Sequence, residues 1–219
     1  MFKGVIFDMD GVLVDNARIH VEAFMEWCRR HGVPFEESRI RQLFGMGNDD
    51  IFRAILGEEN LSQEKIEKYS QEKEKIYREI YAPTIRPVAG LVDLLQGLKA
   101  RGVKPAVGSS GMRANVDFVL EKCGIGQYFD AISDGDMITR AKPDPQVFLL
   151  GAQLLGLPPA DCFVIEDSFA GIEAARRAGM KVVAMATTYK RGEHKDYDLL
   201  IDDFTEVDAD SLLRLETKS

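Results

Sequence analysis

The stretch "GVIFDMDGVLVD" sets Asp8 and Asp10 two residues apart at the end of an apolar run and follows the second at once with Gly11. Other apolar runs also end in groups able to do chemistry. "AVGSSG" ends in Ser109 and Ser110, "CFVIED" ends in Glu166 and Asp167, and Lys142 stands in the loop "RAKPDP". In open parallel sheets ligands bind outside the carboxyl ends of the strands, so the residues that end apolar runs are the ones to collect. Without a cation, this set of carboxylates is electrostatically unreasonable. Two unit charges about 4 Å apart repel by roughly 4 kcal/mol at an effective dielectric of 20, and burial raises carboxyl pKa values further. An all-oxygen set with no converging His or Cys fits a hard divalent ion, Mg²⁺ in particular, which is held by one or two carboxylates and leaves its other positions to water and substrate phosphate. A serine hydroxyl beside the N–H groups of a strand-to-helix turn can hold phosphate oxygens. Lys142 offers a point charge to a carboxylate or a phosphoryl oxygen, and Gly11 lets the backbone turn tightly beside a ligand. Together these residues point to phosphoryl transfer.

The elements that must position these groups follow from the order of patterns. "GVIF" reads as a buried strand. From Val88 onward helical segments ("GLVDLLQGLKARG", "ANVDFVLEKCG", "DPQVFLLGAQLLG", "SFAGIEAARRAG") alternate with short apolar runs ("KPAVGSSG", "FDAIS", "CFVIED", "KVVAMA"). Strands separated by helix-length segments predict right-handed crossovers and an α/β fold, a doubly wound and mostly parallel sheet covered on both faces. Residues 17 to 82 break the alternation and read as helical throughout. "ARIHVEAFMEWCRRHG" carries Ile19, Phe24 and Trp27 at helical spacing and stops at Gly32, with Phe24 and Trp27 as core of the insert. "LSQEKIEKYSQEKEKIYREIYAP" is a long charged helix with apolar positions at Ile66, Tyr69, Ile76 and Ile80, an N-cap at Ser62 and a stop before Pro83. Its charges read as a solvated face with i,i+4 pairs. The expected organisation is a catalytic core of residues 1–15 and 84–219, with a small α-helical cap, residues 16–83, inserted after the first strand. The segments around Val14 to Asn16 and "APTIRP" could serve as hinges.

Composition removes several classes of function. The 219 residues carry a formal net charge of −8 and no basic footprint, so nucleic acid is not expected as a partner. Cys28, Cys123 and Cys162 are odd in number, lie in apolar-periodic segments and lack metal-ligand spacing, which predicts buried free thiols and a reducing, cytoplasmic setting. No basic-then-apolar leader precedes the first strand, and no apolar stretch approaches the roughly 18 residues needed to span a bilayer. A soluble, unprocessed protein without a membrane partner is expected. Oligomeric state is not legible.

The segments "FDMDGV", "VGSS", "KPDP" and "VIEDS", in that order and with a helical insert between the first and second, resemble the haloacid dehalogenase superfamily of aspartate-nucleophile phosphohydrolases. The resemblance spans nearly the whole chain and implies a small helical cap. It implies that Asp8 is the nucleophile that becomes an aspartyl phosphate and that Asp10 is the general acid and base. Metal ligands would be the Asp8 carboxylate, the Asp10 backbone carbonyl and Asp167, with Glu166 as a ligand or a partner of the ligands. Ser109 and Lys142 would bind the transferring phosphoryl group, helped by Gly11 and by Ser110. The Ser110 hydroxyl is alternatively a cap for the following helix, its N–H being the better phosphate donor. "DNARIHVEAF" resembles the β-phosphoglucomutase branch, where a histidine at the position of His20 lies near the active-site entrance. His20 is otherwise an ordinary helix histidine.

Within that superfamily a mutase must bind a second phosphate away from the metal, using cations of the cap. Where the mutase pattern is basic, the loop "LFGMGNDD" has Phe44, Asn48, Asp49 and Asp50, and the first positive charge is Arg53. An acidic loop repels a distal phosphate. The sequence therefore favours a Mg²⁺-dependent phosphatase of a small phosphorylated metabolite, such as a sugar or polyol monophosphate, with β-phosphoglucomutase as the alternative. A dehalogenase would have no use for Asp10 or the Glu166–Asp167 pair. A phospho-accepting signalling domain shares the acidic cluster, hydroxyl and lysine, but its acidic pair is usually adjacent and it has no helical insert.

Overall fold

The computed structural model describes residues 2–43, 47–57 and 61–217. It divides into two compact units, Met1–Asp15 with Ile85–Ser219, and Asn16–Thr84.

In the first unit six strands among the described residues form one sheet in the order β3-β2-β1-β4-β5-β6. They are β1 (Gly4–Phe7), β2 (Lys104–Gly108), β3 (Ala131–Ser133), β4 (Cys162–Glu166), β5 (Lys181–Met185) and β6 (Leu199–Ile201), and every pairing is parallel. This is the doubly wound α/β fold expected from the alternation. All four residues of β1 are buried, as a central strand covered on both faces requires. One face packs Ile6, Ala106, Val164 and Val182 against Phe148, Ala152 and Ile172 of the crossover helices. On the other, the Phe7 ring meets Phe129 and Phe204 edge-on, with centroids 5.9 and 6.1 Å away. The order of strands reverses between β1 and β4, so their carboxyl ends flank the crevice where such sheets bind ligands. Strand β6 was not legible: it joins β5 without a crossover α-helix, so no alternation of patterns marks its three residues.

The second unit contains α1 (Ala17–Arg30), α2 (Glu37–Gln42), α3 (Asn48–Leu56) and α4 (Gln63–Tyr81). Ser62 caps α4 by accepting a bond from Lys65 N–H at 3.3 Å. Phe24 and Trp27 are buried, and the Trp27 ring contacts Phe52 and Tyr69 at 4.7 and 4.9 Å between centroids.

The solvated-face reading of α4 is corrected at two charges. Lys73 and Glu74 are buried, because Lys73 occupies the helical row that also holds Ile66, Ser70 and Tyr77. Its ammonium donates to Glu74 Oε1 at 2.8 Å and to His20 Nδ1 at 2.8 Å, and stands 4.5 Å from the Phe24 ring. Asn48 donates to the same Glu74 oxygen at 2.8 Å. A buried charge is tolerated only when paired in this way.

The first unit continues through α5 (Leu91–Ala100), α6 (Arg113–Lys122), α7 (Gln146–Leu155), α8 (Phe169–Arg177) and α9 (Ala209–Leu213). Among the described residues no helix is long and apolar enough to cross a membrane. Cys28 and Cys162 are buried thiols, but Cys123 is half-buried, at the C-terminal end of α6 between the exposed Lys122 and Gly124.

Candidate active site

Asp8 follows the last residue of β1, and its N–H donates to Ile165 O of β4 at 2.9 Å, which sets it level with Glu166. Asp8, Glu166 and Asp167 are all buried, and each can offer a carboxylate oxygen to one point, these oxygens lying within 4.8 Å of one another. Lys142 bridges two of them, with Nζ 2.6 Å from Asp8 Oδ1 and 2.7 Å from Glu166 Oε1. The same ammonium stands 4.8 Å from the Phe148 ring centroid, so it is enclosed by its two anions and an aromatic face.

The electrostatics follow from this enclosure. Burial is the largest influence on Asp8; Lys142 opposes it, Glu166 and Asp10 reinforce it, and the carboxyl is raised to about 7. Burial and then the charges of Glu166 and Asp8 push Asp167 well above the usual carboxylate range. Burial works against the charge of Lys142, but Asp8 and Glu166 overcome it and hold its pKa above the usual value. Three buried carboxylates facing one ammonium are two positive charges short of balance. An all-oxygen, buried and electron-rich set of this kind fits a divalent cation.

Two glycines make the crowding possible. Gly11 has φ +77, and a Cβ there would overlap the Asp167 carboxylate. In α8 a Cβ on Gly171 would overlap the Glu166 carboxylate. Glu166 is further held by the Ser168 N–H, which donates to Oε2 at 2.6 Å, while the Ser168 hydroxyl caps α8 by accepting from Gly171 N at 3.0 Å. The loop that presents Lys142 is braced by the Gln146 side chain, whose Oε1 accepts from Thr139 N at 3.1 Å and Arg140 N at 3.0 Å.

Of the residues collected from the sequence, the structure brings Asp8, Gly11, Lys142, Glu166 and Asp167 together. Asp10 is half-buried and close enough to Asp8 for its charge to act on that carboxyl; a Cβ on Gly111 would lie 3.8 Å from its Oδ2 and 3.2 Å from Ser109 Oγ. This puts Asp10 beside the turn that ends β2. Ser109 is buried and its hydroxyl accepts from Gly111 N–H at 3.0 Å. Ser110 is exposed, and its reading as a helix cap is corrected: the N-cap of α6 is Met112, while Asp136 accepts from Arg113 N at 3.1 Å. His20 belongs to the second unit, bound to Lys73 and stacked on Tyr77 with centroids 4.2 Å apart. Sequence reading missed Ser168, Gly171, Gln146 and the pair Thr187 and Thr188. The rule of collecting groups at strand ends, carried one strand further to β5, finds the two threonines.

A family model described as haloacid dehalogenase-like hydrolase matches residues 5–185, most of the chain. The chain belongs to the haloacid dehalogenase-like hydrolases. This hydrolase is 34% identical to the fructose-1-phosphate phosphatase YqaB of Escherichia coli, over 83% of this chain and 95% of that protein. It is 32% identical to the β-phosphoglucomutase of Bacillus subtilis, over 84% and 83% of the two chains. Among solved structures, a family IA, variant 3 hydrolase from Entamoeba histolytica superposes with a TM-score of 0.92 at 28% identity, covering 99% of this chain and 100% of that one. The chain is thus an enzyme of the haloacid dehalogenase type, with an acidic cluster able to hold a metal ion.

Proposed function

We propose that this hydrolase is a Mg²⁺-dependent phosphatase of small phosphorylated metabolites, sugar or polyol monophosphates being the best fit, acting in the cytoplasm through an aspartyl phosphate. The observation that carries the reading is the Lys142 ammonium clamped between Asp8 and Glu166, 2.6 and 2.7 Å away, at the crevice between β1 and β4. Asp8, Asp167 and the Asp10 carbonyl would hold Mg²⁺, with Glu166 as a further ligand or as the group that anchors Lys142. When bound, Mg²⁺ supplies positive charge that draws phosphate oxygens and offsets negative charge as the transition state forms.

In the first half-reaction an Asp8 oxygen bonds to phosphorus, the ester P–O bond breaks, and the leaving oxygen takes a proton from Asp10. In the second, water attacks the phosphorus and gives its proton to Asp10, the bond from phosphorus to Asp8 breaks, and inorganic phosphate leaves. The half-buried setting of Asp10 suits a carboxyl that must gain and lose a proton, as the buried three-carboxylate cluster suits one that stays ionised beside a metal. Lys142 meets the phosphoryl oxygens as a fixed cation, joined by Ser109 and by N–H groups of the Ser110 turn.

The alternative, a phosphoglucomutase, is favoured by the Bacillus relative and weakened by the pairing of the buried cation of α4. Lys73 is matched by Glu74 at 2.8 Å. Asn48 is spent on Glu74, and Phe44 lies outside the described residues.

The test is a panel of sugar and polyol monophosphates with Mg²⁺, scoring phosphate release and isomer formation side by side for the native enzyme and Asp8→Asn. Multiple turnovers of phosphate release, lost by on the order of 10⁴-fold or more in the variant, are expected. Isomer accumulating faster than phosphate establishes the mutase instead, and an active Asp8→Asn enzyme removes the nucleophile.

A further inference from the structure

The chain leaves β5 through Ala186 into Thr187 and Thr188, two hydroxyls with no part in the mechanism above. Both are committed to the site. The Thr188 hydroxyl donates to Asp167 Oδ2, and the Thr187 hydroxyl donates to Gly11 O at 2.6 Å. The two partners are themselves in contact, because Asp167 Oδ2 lies against the Gly11 Cα, where a Cβ would also come within 3.0 Å of Thr188 Oγ1. Three segments therefore close a ring: the turn after β1, the end of β4 and the end of β5.

The threonine-bearing segment is fixed from behind. The Tyr189 ring stacks on Phe169 at 4.1 Å between centroids, and Phe169 is two residues beyond Asp167. His194 Nε2 lies 3.2 Å from Tyr189 O, and Ala186 N–H donates to Ile201 O at 2.9 Å. A strand-ending threonine pair would ordinarily reflect β propensity alone. Here each hydroxyl is turned onto a different wall of the same site.

We propose that Thr188 is a positioning residue, which holds one oxygen of the Asp167 carboxylate away from the cation and thereby fixes the carboxylate plane for ligation, with Thr187 pinning the backbone on which that carboxylate rests. The inference rests on the reading of Asp8, Glu166 and Asp167 as the metal site. A carboxylate that can rotate about its terminal torsion pays for its own ordering each time a cation binds. A hydroxyl that donates to it removes that freedom in advance, and groups that orient metal ligands in this manner are worth about 10- to 100-fold in affinity.

The experiment measures Mn²⁺ binding to the free protein by electron paramagnetic resonance of the unbound ion, with no substrate present. Native protein, Thr188→Val, Thr188→Ala and Thr188→Ser are compared, together with their melting temperatures in EDTA. The expected result is a dissociation constant about 10- to 100-fold higher for the valine and alanine variants, and a serine variant within about threefold of native, because serine restores the hydroxyl. A structural role alone would lower the melting temperature in EDTA and leave the dissociation constant unchanged; that outcome, or equal binding by any folded variant lacking the hydroxyl, overturns the inference. Native protein that binds no Mn²⁺ overturns the metal site itself, a different failure.

Discussion

At the residue scale the site depends as much on absent atoms as on present ones. Asp8, Asp10, Lys142, Glu166 and Asp167 stand out in the sequence because charged groups at the ends of apolar runs are unusual. Gly171 does not stand out, since a glycine in the first turn of a helix reads as an ordinary residue. Its role becomes visible only when the Glu166 carboxylate is seen pressed against its Cα. The structure makes the consequence specific. Glu166 takes Lys142 on Oε1 and Ser168 N–H on Oε2, so it has no room to swing aside without breaking one of the two. In Gly171→Ala the added methyl forces that choice, although alanine is the better helix former by about 1 kcal/mol. Phosphate release is expected to fall by on the order of 10²-fold, as for other small displacements of a reacting group, with the far-UV spectrum unchanged. Retention of native kcat/KM by Gly171→Ala would mean that Glu166 has slack that this geometry denies it.

At the element scale, legibility tracked the strength of the local pattern. Strands β1, β2, β4 and β5 and helices α5 to α8 carry apolar runs or amphipathic periods of their own, bounded by glycines, and could be placed from sequence. Strand β3, equally short, could be placed as the run "FDAIS" between two helical patterns; strand β6 could not, because no α-helix separates it from β5 to mark it off. In α4 the pattern was legible but was given the wrong meaning. Lys73 falls in register with the apolar positions, four residues before Tyr77 and three after Ser70, and a lysine in an apolar row is a buried charge awaiting its partner. That partner is adjacent in sequence, and the pair has a pH signature. Burial acts to raise the Glu74 carboxyl, yet Lys73 and the bond from Asn48 act against it, and the group is brought down to about 2, from an ordinary 4.5. A carboxyl depressed on folding adds stability that is complete above the ordinary value and is lost as pH falls through the folded one. The loss therefore runs from about pH 4.5 down to about pH 2. Its size is on the order of 3 kcal/mol. The single tryptophan of the chain, Trp27, is buried in the same unit and reports on it. Urea titrations followed by its fluorescence should show native protein well above Glu74→Gln in stability at pH 6, with the gap closing as pH falls below 4.5. A gap that is constant with pH would show that Glu74 contributes through shape and not through charge.

At the scale of the whole molecule, a chain with net charge −8 gathers three of its carboxylates in one buried place and sets a single lysine among them. The arrangement cannot serve stability, since uncompensated buried charge opposes folding and apolar replacements would serve better. It makes sense when the missing charge arrives from solution. A cation that binds the folded state but not the unfolded chain stabilises by RT ln(1 + [L]/Kd), about 2.7 kcal/mol at one hundred times Kd. For a chain of roughly this length 1 kcal/mol moves Tm by about 2–4 °C. Saturating Mg²⁺ should therefore raise the melting temperature by about 5–10 °C over the value in EDTA. The sign of one variant separates this account from a general salt effect. Asp8→Asn removes a negative charge from the crowded cluster, so in EDTA it should melt above the native protein, while gaining less from Mg²⁺ because a ligand is gone. Calorimetry of both proteins with EDTA, with Mg²⁺ and with an equal ionic strength of NaCl reads all these differences. Native protein that melts at one temperature in EDTA and in Mg²⁺, or an Asp8→Asn variant that keeps the full Mg²⁺ gain, would leave the acidic cluster without the cation that explains it.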